Sequence, residues 1–372
     1  MLDQTTFGAM GRGSRPAEIK DRDLSLDFAK GILITLVIIG HLLQYIIYRG
    51  TEDFWESSYY NLIYIFHMPL FMAISGYVSS AAVFRKPFTQ GVRDRAVQLL
   101  LPMFVWCAFI FAIKSATIYP TKSQTGVLLD LSKEVIGTYW FIWAAFISFV
   151  LVRVFATSKW LPMWIISASA IGIAFAPITL SITPLVRYTY PFYCLGVLFA
   201  QPIGRKKSII WTNKSTFVLL SVISFISLLC WDKQTYAFNN HVLIDDEESA
   251  KQVLLMFAGS AAASAVAMQF IVQCWRAASS TRIAQFVAME LGQSTLLVYL
   301  VQGAAFRLMD FIQFGEAWNL TTRIAFASVL GVTVVAAAMA IRKIARDLGY
   351  MSQILLGAPP RPRLLKSQSA IN

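Results

Sequence analysis

The run Asp27-Phe28-Ala29-Lys30-Gly31-Ile32-Leu33-Ile34-Thr35-Leu36-Val37-Ile38-Ile39-Gly40-His41 opens the first long apolar stretch of the chain and decides its class. Continued to Tyr48, it supplies about the 20 apolar residues that a bilayer-crossing helix needs. Lys30 and His41 are eleven residues apart, close to three turns at about 3.6 residues per turn, so both fall on one face of that helix. The rise between them is about 16 Å at about 1.5 Å per residue. Lys30 is thereby expected near the cytoplasmic headgroups and His41 past the bilayer centre. Asp27, three residues before Lys30, shares the face and can pair with it. An ionisable residue held inside a membrane is a functional hypothesis by default.

Working outward, similar runs recur along the chain. They predict an all-α membrane protein of about ten transmembrane helices, near 27–48, 59–83, 96–117, 138–156, 160–180, 184–202, 209–231, 252–275, 288–310 and 322–345. Pro162, Pro177, Pro184 and Pro191 are expected to shorten or kink the fifth and sixth. The composition agrees: of 372 residues 57% are hydrophobic and only 14% charged, where soluble proteins are nearer about 45–50% apolar. The net charge of +12 is not a nucleic-acid footprint, because the cations recur in short loops between apolar runs. With both termini in the cytoplasm, about 22 Lys and Arg fall on that side against about nine on the other. Acids run the other way, in Glu52-Asp53 with Glu56 and in Asp245-Asp246-Glu247-Glu248.

The expected organisation is a cytoplasmic N-terminal segment (1–24), a membrane domain (25–346) and a disordered cytoplasmic tail (347–372). The polar residues before Leu24 lack the features of a cleaved signal, so the first span is expected to remain as an anchor. Cys107, Cys194, Cys230 and Cys274 lack paired spacing and read as packing residues. The three histidines and the acids lack ligand spacing, so no metal site is expected.

A second intramembrane imidazole stands in Phe66-His67-Met68-Pro69-Leu70-Phe71. If the second span runs back from the far side, His67 reaches a depth similar to that of His41. Pro69 breaks the regular ladder nearby and frees backbone carbonyls. The competing reading is that such a histidine only hydrogen-bonds across a helix interface, an effect of about 0.6 kcal/mol. The Lys30 register weighs against that for His41. His241, among Asn239, Asn240 and acids, reads as solvated surface.

These residues resemble the acyltransferase-3 family of integral membrane O-acyltransferases. The resemblance rests on Asp27, Lys30 and His41, on Phe66 to Phe71 followed by Ser75-Gly76-Tyr77, and on Arg93-Asp94-Arg95 leading to Pro102. It extends to Trp140-Phe141-Ile142, to Tyr190-Pro191-Phe192-Tyr193-Cys194-Leu195-Gly196, and to Leu291-Gly292-Gln293-Ser294-Thr295-Leu296 through Tyr299. It covers roughly residues 22–345. Two positions depart from the family: Gln98 stands where a second arginine is common, and Gln302 where many relatives have histidine.

The resemblance implies transfer of an acyl group, acetyl or succinyl, from acyl-CoA to a hydroxyl of a surface or secreted polysaccharide or a lipid-linked oligosaccharide, in the inner membrane. Acyl-CoA would be a cosubstrate, with no permanently bound cofactor, and polysaccharide assembly machinery a further partner. Lys30, Arg93 and Arg95, joined by Arg85 and Lys86, would form a basic mouth for the donor phosphates. Neutral imidazole suits proton acceptance near neutrality, which makes His41 the general base or a transient acyl carrier. His67 would orient His41 or stabilise the oxyanion. Arg187, Arg307 and Arg323 are expected on the outer side, where Arg187 and Arg307 could hold an anionic glycan or acyl carboxylate; snorkelling is the alternative, most of all for Arg323. A secondary transporter with a histidine proton pathway is the rival function, disfavoured by the lack of an internal repeat. A noncatalytic subunit of an assembly complex is the third reading.

Overall fold

The computed structural model describes residues 22–49, 53–117, 123–156, 162–178, 180–201, 213–230, 244, 246–309, 318–346, 348 and 350–358. His241 and the cations of residues 1–21, 202–212 and 359–372 lie outside them. Every regular element among the described residues is helical. In chain order these are α1 (Leu24–Leu42), α2 (Asp53–Glu56), α3 (Ser58–Tyr64), α4 (His67–Arg85), α5 (Phe88–Thr117), α6 (Gln124–Ser132), α7 (Trp140–Ala156), α8 (Pro162–Ala174), α9 (Thr183–Phe199), α10 (Lys214–Cys230), α11 (Glu247–Ala278), α12 (Arg282–Phe286), α13 (Thr295–Leu308), α14 (Leu320–Arg346) and α15 (Tyr350–Leu356).

Six continuous helical stretches are long and apolar enough to cross a membrane: Leu24–Ile47, Ser58–Arg85, Phe88–Thr117, Glu247–Ala278, Arg282–Leu308 and Leu320–Arg346. A seventh forms if Gln124–Thr138 and Trp140–Ala156, bent by 63°, are one span. The chain is thus a multi-pass membrane protein. The fifth to seventh expected spans coincide with α8, α9 and α10, which are 13, 17 and 17 residues long. Prolines account for two of the short lengths: Pro162 and Pro184 stand in first turns, where a missing N–H costs nothing. Apolar side chains such as Leu229, Phe270 and Val332 project outward, as lipid-facing positions do.

Glycines set the closest helix contacts. Gly76 of α4 lies on the Tyr193 carbonyl of α9, and Gly196 of α9 on the Ala73 carbonyl of α4, so neither position has room for a Cβ. Arginines close helix ends. Arg153 of α7 donates to the carbonyls of Ala82, Val83 and Lys86 at the C-terminus of α4 (2.5, 3.1 and 2.9 Å). Arg342 serves the Met289 and Glu290 carbonyls (3.0 and 2.8 Å). Such groups satisfy the orphan carbonyls of a helix end and complement its dipole.

Residues Tyr350–Leu356, expected to belong to a disordered tail, form α15, packed on α5. The reason is local. Gly357, at φ +65°, ends the helix: its N–H meets the Gln353 carbonyl (3.1 Å) and that of Ala358 the Ser352 carbonyl (3.4 Å). Gly357 also rests on the Gln98 carbonyl, which a side chain would obstruct.

Candidate active site

Helix α1 starts at an N-cap, Asp23, whose carboxylate accepts from the N–H groups of Ser25 and Leu26 (3.0 and 3.3 Å). One turn later the buried Asp27 binds Lys30 (2.6 Å) and Arg22. The expected pairing within the Asp27–Lys30 turn is therefore present. Gly292 lies on the Asp27 carbonyl and Gly31 on that of Val287, so the π-helical turn Val287–Leu291 crosses α1 at van der Waals distance beside Lys30. Two more π-helical turns adjoin functional candidates, Leu43–Ile47 after His41 and Lys133–Thr138 before α7. Such turns are frequent at functional sites.

A cavity of about 170 Å³ opens at this level between α1, α4, α5, α7 and α13. Lys30 and Arg95 are its charged wall residues, and Arg95 Nη1 donates to Gln98 Oε1 beside them (2.9 Å). Ile34 and Val37 continue the wall along α1, with Met68, Phe71 and Tyr299 opposite. Lys30, Ile34 and Val37 fall on one helical stripe, and the next residue of that stripe is His41. The His41 ring lies between Tyr45 and Phe306 (centroids 5.7 and 5.6 Å), and its Nδ1 is buried without a hydrogen-bond partner.

Helices α3 and α4 are one span broken at Ile65 and Phe66. The break falls earlier than Pro69, whose ring would collide with the backbone of a continuous helix; restarting at His67 puts Pro69 in a first turn. The interruption leaves the Ile63 carbonyl to His67 Nδ1 at 2.8 Å. With Nδ1 donating there, Nε2 is the nitrogen with a lone pair. Tyr64 joins the two histidines: its hydroxyl end lies against Gly40, and its ring meets that of His67 edge-on at 4.5 Å.

The remaining expected residues are dispersed. Arg93 is exposed and outside the cavity wall. Arg187 is buried and donates to the carbonyls of Ala174 (3.1 Å) and Ile178 (3.4 Å), at and just beyond the end of α8. Arg323 donates to the carbonyls of Ile47, Arg49 and Trp318 (3.1, 3.1 and 3.2 Å). Arg307 donates from Nε to Thr138 Oγ1 (2.7 Å) and lies 3.4 Å from a Glu134 carboxylate oxygen.

That last contact belongs to a cluster that sequence reasoning missed. Glu134 and Lys114 are both buried and paired, with Arg307 and Thr138 completing the group. The Tyr299 hydroxyl, from the cavity wall, donates to the Thr138 carbonyl (3.3 Å). The cluster thus joins the cavity, through Tyr299, to the bend before α7. Gln302 is also underrated by sequence: it is wholly buried on α13, and neither its amide nitrogen nor its oxygen has a partner. Unpaired buried amides are rare enough to need an explanation.

The sequence profile of the acyltransferase domain matches residues 23–342. The chain is 70% identical over 373 residues to the nodulation protein NolL of Mesorhizobium japonicum, with all of both chains covered. It is 55% identical over 351 residues to the nodulation protein NolL of Sinorhizobium fredii, covering 94% of this chain and 96% of that one. No solved structure matches.

Proposed function

Because the chain belongs to the acyltransferase-3 family, and so is a membrane O-acyltransferase, we propose that it moves an acetyl or succinyl group from acyl-CoA, entering at Lys30 and Arg95, to a carbohydrate hydroxyl, with His41 as the base. The observation that carries this reading is the α1 stripe: a basic cavity mouth at Lys30, a wall through Ile34 and Val37, and the half-buried His41, whose buried Nδ1 has no partner. The matched relatives are nodulation proteins by name. That name supports an acceptor among oligosaccharides or polysaccharides made for nodulation. The protein sits in the inner membrane with ten crossings and both termini in the cytoplasm.

In the reaction, a neutral His41 nitrogen takes the hydroxyl proton as the oxygen attacks the thioester carbonyl. The C–O bond forms, the C–S bond breaks, and the departing thiolate recovers the proton from the imidazolium. If donor and acceptor occupy opposite ends of the path, the imidazole carries the acyl group between them and releases it to the acceptor. His67, fixed by the Ile63 carbonyl through Nδ1, keeps its lone pair on Nε2 and in this reading orients His41 or stabilises the oxyanion. Membership of a transferase family favours this over a carrier with a histidine proton pathway.

The test is the acyl-ester content, by NMR and mass spectrometry, of glycans from a deletion strain complemented with wild type or His41→Ala at equal membrane abundance. Loss of one ester class, restored by wild type and reduced by about 10²-fold or more in initial rate by His41→Ala, is expected. Equal ester content in the two complemented strains would remove His41 from the chemistry.

A further inference from the structure

Beside the donor cavity lies a second one, of about 210 Å³, where the C-terminal helix folds back over the bundle. Its walls are Gln293, Ser294 and Leu296 at the start of α13, Arg342 and Arg346 on the last turns of α14, and Ser352 on α15. The two cavities are neighbours. Leu296 lines both, and α15 ends with Gly357 against Gln98, a wall residue of the first.

Three observations say what the second cavity accepts. Arg342 and Arg346 are one turn apart on the same face of α14. Arg342 is buried and engaged by Glu290 Oε2 (2.5 Å), Gln293 Oε1 (3.4 Å) and two backbone carbonyls, so it builds the wall. Arg346 is half-buried and has no hydrogen bond or ion pair among the described residues. Ser294, only 6% exposed, lines the cavity with a buried hydroxyl that also lacks a partner. A guanidinium fork and a buried hydroxyl facing one polar space match the oxygens of a phosphate ester.

We propose that this cavity is a phosphate-ester subsite in which Arg346 and Ser294 hold a nucleotide phosphate of the acyl donor, while the thioester arm enters the adjoining cavity beside Lys30 and Arg95. The assignment rests on the coenzyme A reading of the donor. A phospholipid headgroup has the same ester chemistry, and the experiment separates the two sources.

Full-length protein in zwitterionic nanodiscs is titrated with coenzyme A and, separately, with pantetheine, which lacks the nucleotide phosphates. Arg346→Ala is expected to weaken coenzyme A binding about tenfold, and Ser294→Ala several-fold, with pantetheine binding unchanged in both. Lys343→Ala, an equal loss of charge on the exposed side of the same helix end, is expected to bind coenzyme A as wild type does. Unchanged coenzyme A affinity in Arg346→Ala overturns the proposal. The donor assignment is equally overturned if native mass spectrometry finds phosphatidylglycerol retained by wild type and lost from Arg346→Ala while coenzyme A affinity stays constant. Wild type that acylates glycan in cells yet fails to bind coenzyme A would instead refute the donor reading beneath it.

Discussion

At the scale of single residues, a buried polar atom without a partner is the most telling feature, because its desolvation is uncompensated until something binds. His41 Nδ1 and both amide atoms of Gln302 are in that state. Phe306, which packs on His41, is one turn beyond Gln302 on α13, so the two groups border the same part of the core. Gln302→Leu keeps the approximate volume and removes the unpaired amide. A residue that only packs would tolerate this, with a melting temperature equal to or above wild type. For a residue that contacts substrate in the transition state, the stability result is the same but kcat/KM falls, by about tenfold or more for the loss of one hydrogen bond in a dry site. The latter is expected, and paired thermal melts and initial rates on the solubilised protein check it. A melting temperature several degrees below wild type would mean that the amide supports the fold.

At the scale of elements, α4 and α9 are held by reciprocal glycine contacts, and that geometry predicts opposite outcomes for one kind of substitution. Gly196→Ala puts a methyl group into the Ala73 carbonyl, forcing the helices apart at a cost of about 1–3 kcal/mol or more. Gly172→Ala on α8 meets nothing within 4 Å and removes the helical penalty of glycine, about 0.5–1 kcal/mol. Melting temperatures in detergent should fall for the first and hold or rise for the second. The Gly76 and Gly196 motifs were visible in the sequence, but their reason was not, since a glycine's partner is another helix's carbonyl. The same limit explains the arginines. Arg187 and Arg323 stand out in the sequence as isolated cations expected on the outer side, whereas their carbonyl partners belong to tertiary structure. Lys30 and His41 needed only the helical period, which is local and exact enough to read. Glu134 and Lys114 escaped because 20 residues separate them and they stand on different helical segments.

At the scale of the whole molecule, helix length alone leaves the number of crossings open, but contacts between helix ends constrain it. Gly292 lies on Asp27 at the start of α1, and Gly357 on Gln98 of α5, while Leu296 lines both cavities there. These contacts gather the start of α1 and the end of α15 at one end of the bundle, the arrangement expected of an even number of crossings. Seven would separate them. Six would leave residues 118–246 wholly on the outer side, including the end of α7. Yet Arg153 near that end binds the C-terminal carbonyls of α4, and Thr138 before α7 meets Arg307 in the last turn of α13 as well as the Tyr299 hydroxyl. Helix α7 therefore runs between opposite ends of the bundle, and the expectation of ten crossings has the short helices α8, α9 and α10 return the chain to the start of α11. Reporter fusions separate the three counts. A fluorescent protein after Asn372 should fluoresce, alkaline phosphatase joined after Asp246 should be active, and alkaline phosphatase joined after Lys159 should be inactive. Six crossings predict activity after Lys159, and seven predict a dark C-terminal fusion. The cation asymmetry between alternate loops, about 22 against nine, sets the direction of that expectation.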